Sequence, residues 1–152
     1  MVTNEEMKIV MENADDERKH ASYNVTPEEM QRFKGNDKLP YLIATKKREN
    51  DEKHGVSATA GYDLIAEMCT IDISTLKKTI NKSIRVTRTF LYKFTIGLHM
   101  TVYEANQLFI LCGGPLTKLD VADYICINYL ETQSSIHDFY KQYEEYTHKK
   151  LR

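Results

Sequence analysis

The sequence predicts an all-α fold, and three observations support this prediction. Apolar residues recur at spacings of three and four in the successive stretches that follow Leu39, which is the period of an amphipathic helix. No stretch shows the alternation of apolar and polar residues that is typical of a half-buried strand. Helix-ending signals separate the stretches, such as Gly113-Gly114-Pro115. The 152 residues provide for one core with an appendage.

Residues 1–37 are expected to form an N-terminal arm. Residues 1–24 are highly charged and lack the apolar periodicity of a core element, so we expect a mobile arm or a marginal helix, with partial disorder. Thr26-Pro27-Glu28-Glu29 then combines a capping residue, a proline at the first helical position and an early glutamate, so a helix begins here. Gly35-Asn36-Asp37 ends this helix after a few residues.

The first core helix is predicted in the stretch LPYLIATKKRENDEKHG, which begins at Leu39. Leu39, Leu42 and Ile43 supply its apolar edge, and we expect Lys46 to Arg48 on the solvent side. The small residues from Gly55 to Gly61 indicate a connection to the next helix.

The remaining stretches predict six further helices. YDLIAEMC and DISTLKKTIN form two short helices, and a basic link from Lys82 to Arg88 follows them. TFLYKFTIGLHM and TVYEANQLFILCGG are each apolar on one face. Two more amphipathic stretches, DVADYICINYLE and SIHDFYKQYEEYTHKK, predict a C-terminal helical extension over residues 115–152.

The formal net charge of -1 hides an uneven distribution of charge. Residues 61–94 hold 6 Lys/Arg against 3 Asp/Glu, a balance of +3. Residues 1–60 hold 10 against 12, and residues 95–152 hold 5 against 7, so each of these regions has a balance of -2. Positive charge concentrated in one short segment is what a phosphate-facing surface requires.

The sequence disfavours membrane proteins, metal proteins and enzymes. Its longest apolar run, Leu108 to Cys112, is far short of the roughly 20 residues that span a bilayer. The acidic N-terminus does not resemble a signal peptide, which predicts a cytoplasmic protein. The 3 cysteines and 5 histidines show no metal-site spacing, so we expect buried thiols and no metal or cofactor. No nucleophilic triad can be assembled from local sequence.

The segment from Ile65 to Leu76 has the features of a helix-turn-helix. Such a motif needs a small residue where two short helices touch, apolar residues on the buried faces and a tight turn. Ala66 is the small residue and Thr70-Ile71 is the turn. The residues expected to be buried are Ile65, Cys69, Ile71 and Leu76.

This segment, IAEMCTIDISTLKKTIN, resembles the lambda-repressor-like (Xre-type) family of transcriptional regulators. The resemblance continues through Gly97 to Asn106, GLHMTVYEAN, and covers residues 39–114. It implies a five-helix bundle over residues 38–114 that binds double-stranded DNA, in a bacterial or mobile-element regulator. Thr70 stands where the family usually has glycine, and a threonine is strained in a left-handed conformation.

The resemblance also implies that the helix from Asp72 to Asn81 lies in the major groove as the recognition helix. Asp72 is expected to cap this helix rather than to contact cytosine. Base edges would be read by Ser74, Thr75 and Lys78. Phosphates would be contacted by Lys77, Asn81, Lys82, Arg85 and Arg88.

Three other interpretations stay open at this point. The lysines and arginines could simply form a solvated face. The tyrosines of the C-terminal extension could belong to the core or to a homodimer interface, namely Tyr124, Tyr129, Tyr140, Tyr143 and Tyr146. The chain could also be a helical adaptor or inhibitor, for example a phage-type anti-defence protein, that holds a protein partner with its acidic arm and tail.

Overall fold

The computed structural model describes residues 2–11 and 38–151, and every regular element in these two ranges is an α-helix. The all-α prediction is confirmed. The predicted short helix after Thr26-Pro27 lies outside the described residues. The helices are α1 (residues 4–11), α2 (Lys38–His54), α3 (Ala58–Cys69), α4 (Ile73–Ile80), α5 (Arg88–Gly97), α6 (Val102–Ile110), α7 (Val121–Thr132) and α8 (Ile136–Thr147). None of the described helices is long and apolar enough to cross a bilayer.

Side-chain caps fix where most of these helices begin. Thr101 and Glu104 form a complete capping box at the start of α6, in which each side chain binds the other's backbone amide. Ser57 accepts a hydrogen bond from the amide of Ala60 at 3.2 Å and starts α3 at Ala58. The predicted connection from Gly55 to Gly61 is therefore too long, because its second half is the first turn of α3.

A single core unites α2 to α8, and the C-terminal helices belong to it. Helix α7 contacts α5 and α6, and α8 contacts α7 and α5. The fully buried side chains come from both halves of the chain and include Ile43, Ile65, Leu76, Leu91, Phe94, Phe109, Tyr129 and Phe139. The predicted C-terminal extension, described as far as residue 151, therefore contributes side chains to the same core as the helices before it.

Helix α5 approaches the end of α3 closely at Gly97. A β-carbon at Gly97 would lie 2.7 Å from the Cα of Cys69 and 2.8 Å from the carbonyl oxygen of Met68. Because backbone atoms cannot yield as a side chain can, only glycine fits here. Gly97 provides this contact, whereas Ala66, which was expected to be the small contact residue, is half-buried on α3.

The start of the N-terminal arm forms the helix α1 and is docked on the C-terminal helices, so of the two expected alternatives residues 2–11 follow the helix and not the mobile arm. Met7 of α1 is fully buried. The backbone of Val2 exchanges two hydrogen bonds with the side chain of Gln142, at 3.3 and 2.9 Å. The Tyr124 hydroxyl donates to Glu6, and the Tyr146 hydroxyl donates to Asn4. The charged composition hid this docking, because only Val2 and Met7 of the segment join the hydrophobic core.

Lys47 is buried, although it was expected on the solvent side of α2. Only 6% of it is exposed, and its Nζ lies 2.6 Å from the Oδ2 of Asp51 and 2.9 Å from the carbonyl oxygen of Ala58. The ring of Tyr62 covers the ammonium at 4.2 Å. The Asp51 carboxylate packs directly on Gly61, where a β-carbon would clash with it. This cluster joins α2 to α3.

Candidate nucleic-acid interface

Helices α3 and α4 are joined by a turn whose central residue is in the left-handed conformation. Thr70 has φ 49 and ψ 44, and the Ile71 amide donates back to the carbonyl of Ala66 at 3.1 Å. The four residues predicted to be buried in this motif, Ile65, Cys69, Ile71 and Leu76, are all buried. Thr70 thus occupies a backbone conformation for which glycine is usual, despite the strain expected for a threonine there.

The outer face of α4, which consists of Ser74, Lys77, Lys78 and Asn81, is exposed along its whole length. These residues are spaced three and four apart, so they lie in one stripe along the helix. The opposite face holds the buried Leu76 and Thr79. Thr75, predicted to read bases, is half-buried on the side of this stripe.

The end of α4 continues this surface into the following link. The Ser83 amide donates to the Lys78 carbonyl at 2.8 Å and to the Asn81 side-chain oxygen at 2.9 Å. Lys82 lies between Asn81 and Ser83 in the chain and has φ 67. This is the left-handed position at which many helices end and which is usually occupied by glycine. Asn81 therefore has a local structural role in addition to its exposure. Lys82 and Arg85 are both exposed.

Three basic residues of this surface, Lys77, Lys78 and Arg85, have few acidic residues near them in sequence. The sequence contains no Asp or Glu from residue 73 to residue 103. Within residues 2–11 and 38–151, no salt bridge involves Lys77, Lys78 or Arg85. The nearest acidic residue in sequence is Asp72, which occupies the N-cap position of α4 without accepting a capping hydrogen bond through its side chain.

The guanidinium group of Arg88 is paired with other groups of its own chain, although 31% of the side chain is exposed. It donates to the carbonyl of Gly114 and to the Oδ2 of Asp123, both at 2.7 Å, and it lies 4.9 Å from the ring centre of Phe109. The other oxygen of Asp123 accepts from the Tyr92 hydroxyl at 2.5 Å. Burial, together with this carboxylate, raises the pKa of Tyr92. The predicted phosphate contact of Arg88 is replaced by an ion pair that anchors α5 to α7.

Two tyrosines that sequence reasoning did not select support the candidate interface. The ring of Tyr62 on α3 lies 5.3 Å from the Nζ of Lys77, a cation–π distance that favours one orientation of this lysine. The same ring contacts the Nζ of Lys47. Tyr140 on α8 contacts Thr70 in the turn through its hydroxyl group. Tyr62 lies close to the motif in sequence and could have been suspected. Tyr140 is 70 residues from its partner, and no local pattern points to it.

Other kinds of site receive little support from the described residues. No group of three or more His, Cys, Asp or Glu side chains in these ranges could hold a metal ion. Burial raises the pKa of Cys69 and of Cys126, which keeps both thiols protonated. A cleft of about 240 Å³ between α2 and the start of α6 is lined by Lys46, Lys53 and His99, but Glu49 and Glu104 line it as well.

No protein-family model, curated protein or solved structure matches the chain at a significant level.

Proposed function

We propose that this protein is a sequence-specific DNA-binding transcriptional regulator whose recognition helix is α4. In this proposal α2 to α6 correspond to the five helices of a lambda-repressor-like bundle, and α3 and α4 form its helix-turn-helix. The observation that carries the proposal is the outer face of α4, an exposed polar and lysine-bearing stripe without a carboxylate paired to its lysines in the described residues.

The residues of the surface have different roles in this proposal. Ser74 and Lys78 lie on the outer face and would reach base edges, which carry sequence information in the major groove. Lys77, Lys82 and Arg85 would contact phosphates and position the helix without reading sequence. Thr75 contributes less than expected because it is half-buried.

The alternative, an adaptor that binds a protein partner, has a weaker basis in the structure. It assigns partner binding to the acidic arm and to the tail. The described start of the arm and the tail instead bind each other, through Val2 with Gln142 and Glu6 with Tyr124. A homodimer through the C-terminal helices stays a prediction, although Tyr129 and Tyr143 are used in the protein's own core.

Binding to a random-sequence duplex at a series of salt concentrations tests the proposal. Affinity should fall steeply between 50 and 200 mM salt, because each phosphate contact releases counterions. Lys77→Ala combined with Lys78→Ala should weaken binding and lower the slope of log affinity against log salt by about 1, because Lys77 is the phosphate contact of the pair. Fluorescence anisotropy of a labelled duplex measures both quantities.

The matched control removes two exposed lysines elsewhere. Lys118→Ala combined with Lys149→Ala changes the net charge by the same amount, and both residues lie outside α4. This variant should retain the wild-type slope. Equal losses in the two double variants would show that only net charge matters, and absence of binding at 50 mM salt would reject the proposal.

A further inference from the structure

The turn between α3 and α4 is held by a residue of the last helix. Thr70 and Tyr140 share two hydrogen-bonding contacts: the Tyr140 hydroxyl donates to the Thr70 carbonyl at 3.1 Å, and it also meets the Thr70 hydroxyl. The Thr70 hydroxyl in turn lies 2.7 Å from the carbonyl of Cys69. The hydroxyl and the carbonyl of Thr70 are thus both engaged.

The left-handed conformation of Thr70 needs such support. A residue with a branched side chain is disfavoured at φ 49, and it keeps this conformation only where its surroundings determine it. The turn sets the angle at which α4 leaves α3, and therefore the direction in which the outer face of α4 points. A small change of this angle displaces Ser74 and Lys78 from any base edge that they reach.

Tyr140 is placed firmly enough to act on the turn. Helix α8 buries Phe139 and Tyr143 on either side of Tyr140, so the helix is fixed to the core. The ring of Tyr140 also lies 6.0 Å from the Nζ of Lys93 on α5. The hydroxyl therefore reaches Thr70 from a rigid support rather than from a mobile tail.

We propose that Tyr140 is a positioning residue for DNA binding: it locks Thr70 in the left-handed conformation and so sets the orientation of α4. This inference rests on the proposed function. It makes α8 an integral part of the DNA-binding unit, although α8 contributes no residue to the outer face of α4. Glycine would adopt the left-handed conformation at the turn without support. This chain has Thr70 there instead, and Tyr140 supplies the support.

A rescue experiment distinguishes this role from a general structural one. Tyr140→Phe removes only the hydroxyl and should weaken duplex binding by about 3- to 10-fold, the effect of one or two neutral hydrogen bonds. Thr70→Gly should bind like the wild type, because glycine adopts the left-handed conformation without support. In the Thr70→Gly background, Tyr140→Phe should change affinity less than about 2-fold.

Tyr146→Phe is the matched control, since it removes a hydroxyl from the same helix that contacts Asn4 of α1 instead of the turn. It should leave affinity unchanged. The inference fails if Tyr140→Phe binds like the wild type, if its loss persists in the Thr70→Gly background, or if Tyr146→Phe loses as much.

A readout that needs no DNA separates failure of this inference from failure of the proposed function. The Ile71 amide closes the turn, so its hydrogen exchange should accelerate in Tyr140→Phe but not in Tyr146→Phe. The Ala105 amide in α6 should exchange at the same rate in all variants. If the wild type does not bind DNA, the proposed function fails, and the exchange rates alone test whether Tyr140 holds the turn. If exchange at Ile71 is unchanged in Tyr140→Phe, Tyr140 does not hold the turn.

Discussion

Two Lys-Lys dipeptides have opposite environments in this molecule. In α2, Lys46 bridges Glu49 and Glu104 at 3.5 Å, and Lys47 is buried against Asp51. In α4, Lys77 and Lys78 are exposed and have no salt bridge in the described ranges. The same dipeptide therefore serves packing in one helix and presents charge in the other.

The neighbouring residues explain this difference. Three acidic residues, Glu49, Asp51 and Glu52, follow the pair of α2 within five positions, and one of them is placed at the i, i+4 spacing that lets side chains meet. No acidic residue follows the pair of α4 before residue 104. A basic residue is thus informative about function only when its local acidic partners are counted.

The largest effect is expected from breaking the buried pair of α2. Lys47→Met keeps the length of the side chain but leaves the Asp51 carboxylate buried without its partner, which costs about 3–5 kcal/mol in the free energy of unfolding. Lys77→Met should change it by less than about 0.5 kcal/mol, because the side chain is exposed. Urea unfolding followed by circular dichroism measures both.

Equal stability of the two variants would contradict the contrast between the pairs. Lys47→Met combined with Asp51→Leu removes both charges and should recover most of the loss, since an apolar replacement of a buried pair is often neutral. This double variant distinguishes an uncompensated charge from simple loss of packing.

A smaller effect on stability, with the opposite sign, is expected at the end of α4. Lys82→Gly relieves a left-handed lysine and should raise the free energy of unfolding by up to about 1 kcal/mol. The same variant should bind duplex DNA more weakly and lower the salt slope by about 1, because one phosphate contact is lost. Unfolding and anisotropy measurements on one protein preparation compare the two effects.

His148→Gly provides the control for this variant. His148 also adopts a left-handed conformation, at φ 57, and it caps α8 far from α4 in sequence. It should gain similar stability and keep the wild-type salt slope. If Lys82→Gly gains stability and binds DNA with an unchanged slope, Lys82 contacts no phosphate.

The smallest effect is expected at the exposed bridge of Lys46. Burial alone would raise the pKa of Glu104, but hydrogen bonds from Thr101 and the charge of Lys46 lower it below its ordinary value of 4.5. The bridge therefore stabilises the fold above pH 4.5, and this contribution is lost as the pH falls through the lowered pKa.

Glu104→Gln should cost only a few tenths of a kcal/mol near neutral pH, since the carboxylate is 42% exposed and glutamine preserves the capping box. The difference from the wild type should vanish in acid, once the pH lies below the lowered pKa of Glu104. Urea midpoints at the two pH values measure it. A difference that persists in acid would mean that the capping box, and not the charge, has been damaged.

The sequence was sufficient for the helices and for most of the motif. Helical periodicity located α2 to α8, and it correctly assigned Ile65, Cys69, Ile71 and Leu76 to the interior. The exposed stripe of α4 followed from the same period, since residues three and four positions apart share a face. Local patterns work where the responsible interactions are local.

Long-range contacts could not be anticipated from these patterns. The pairing of Arg88 with Asp123 spans 35 residues, and it engages in a part-buried ion pair a residue for which a phosphate contact was predicted. The docking of Val2 on Gln142 spans 140 residues and orders a segment whose composition indicated disorder. Neither contact changes the periodicity or composition of its own segment, so neither leaves a signal in a single sequence.

Amide chemical shifts recorded while duplex DNA is added to the isotope-labelled protein test most directly whether the outer face of α4 contacts DNA. The largest changes should fall between Ser74 and Arg85, and they should diminish as salt rises. The amide of Lys93, although it belongs to the same acid-free region, should change little because its side chain is half-buried on α5. Changes confined to α7, α8 or the N-terminal residues, with α4 unaffected, would contradict the proposed interface.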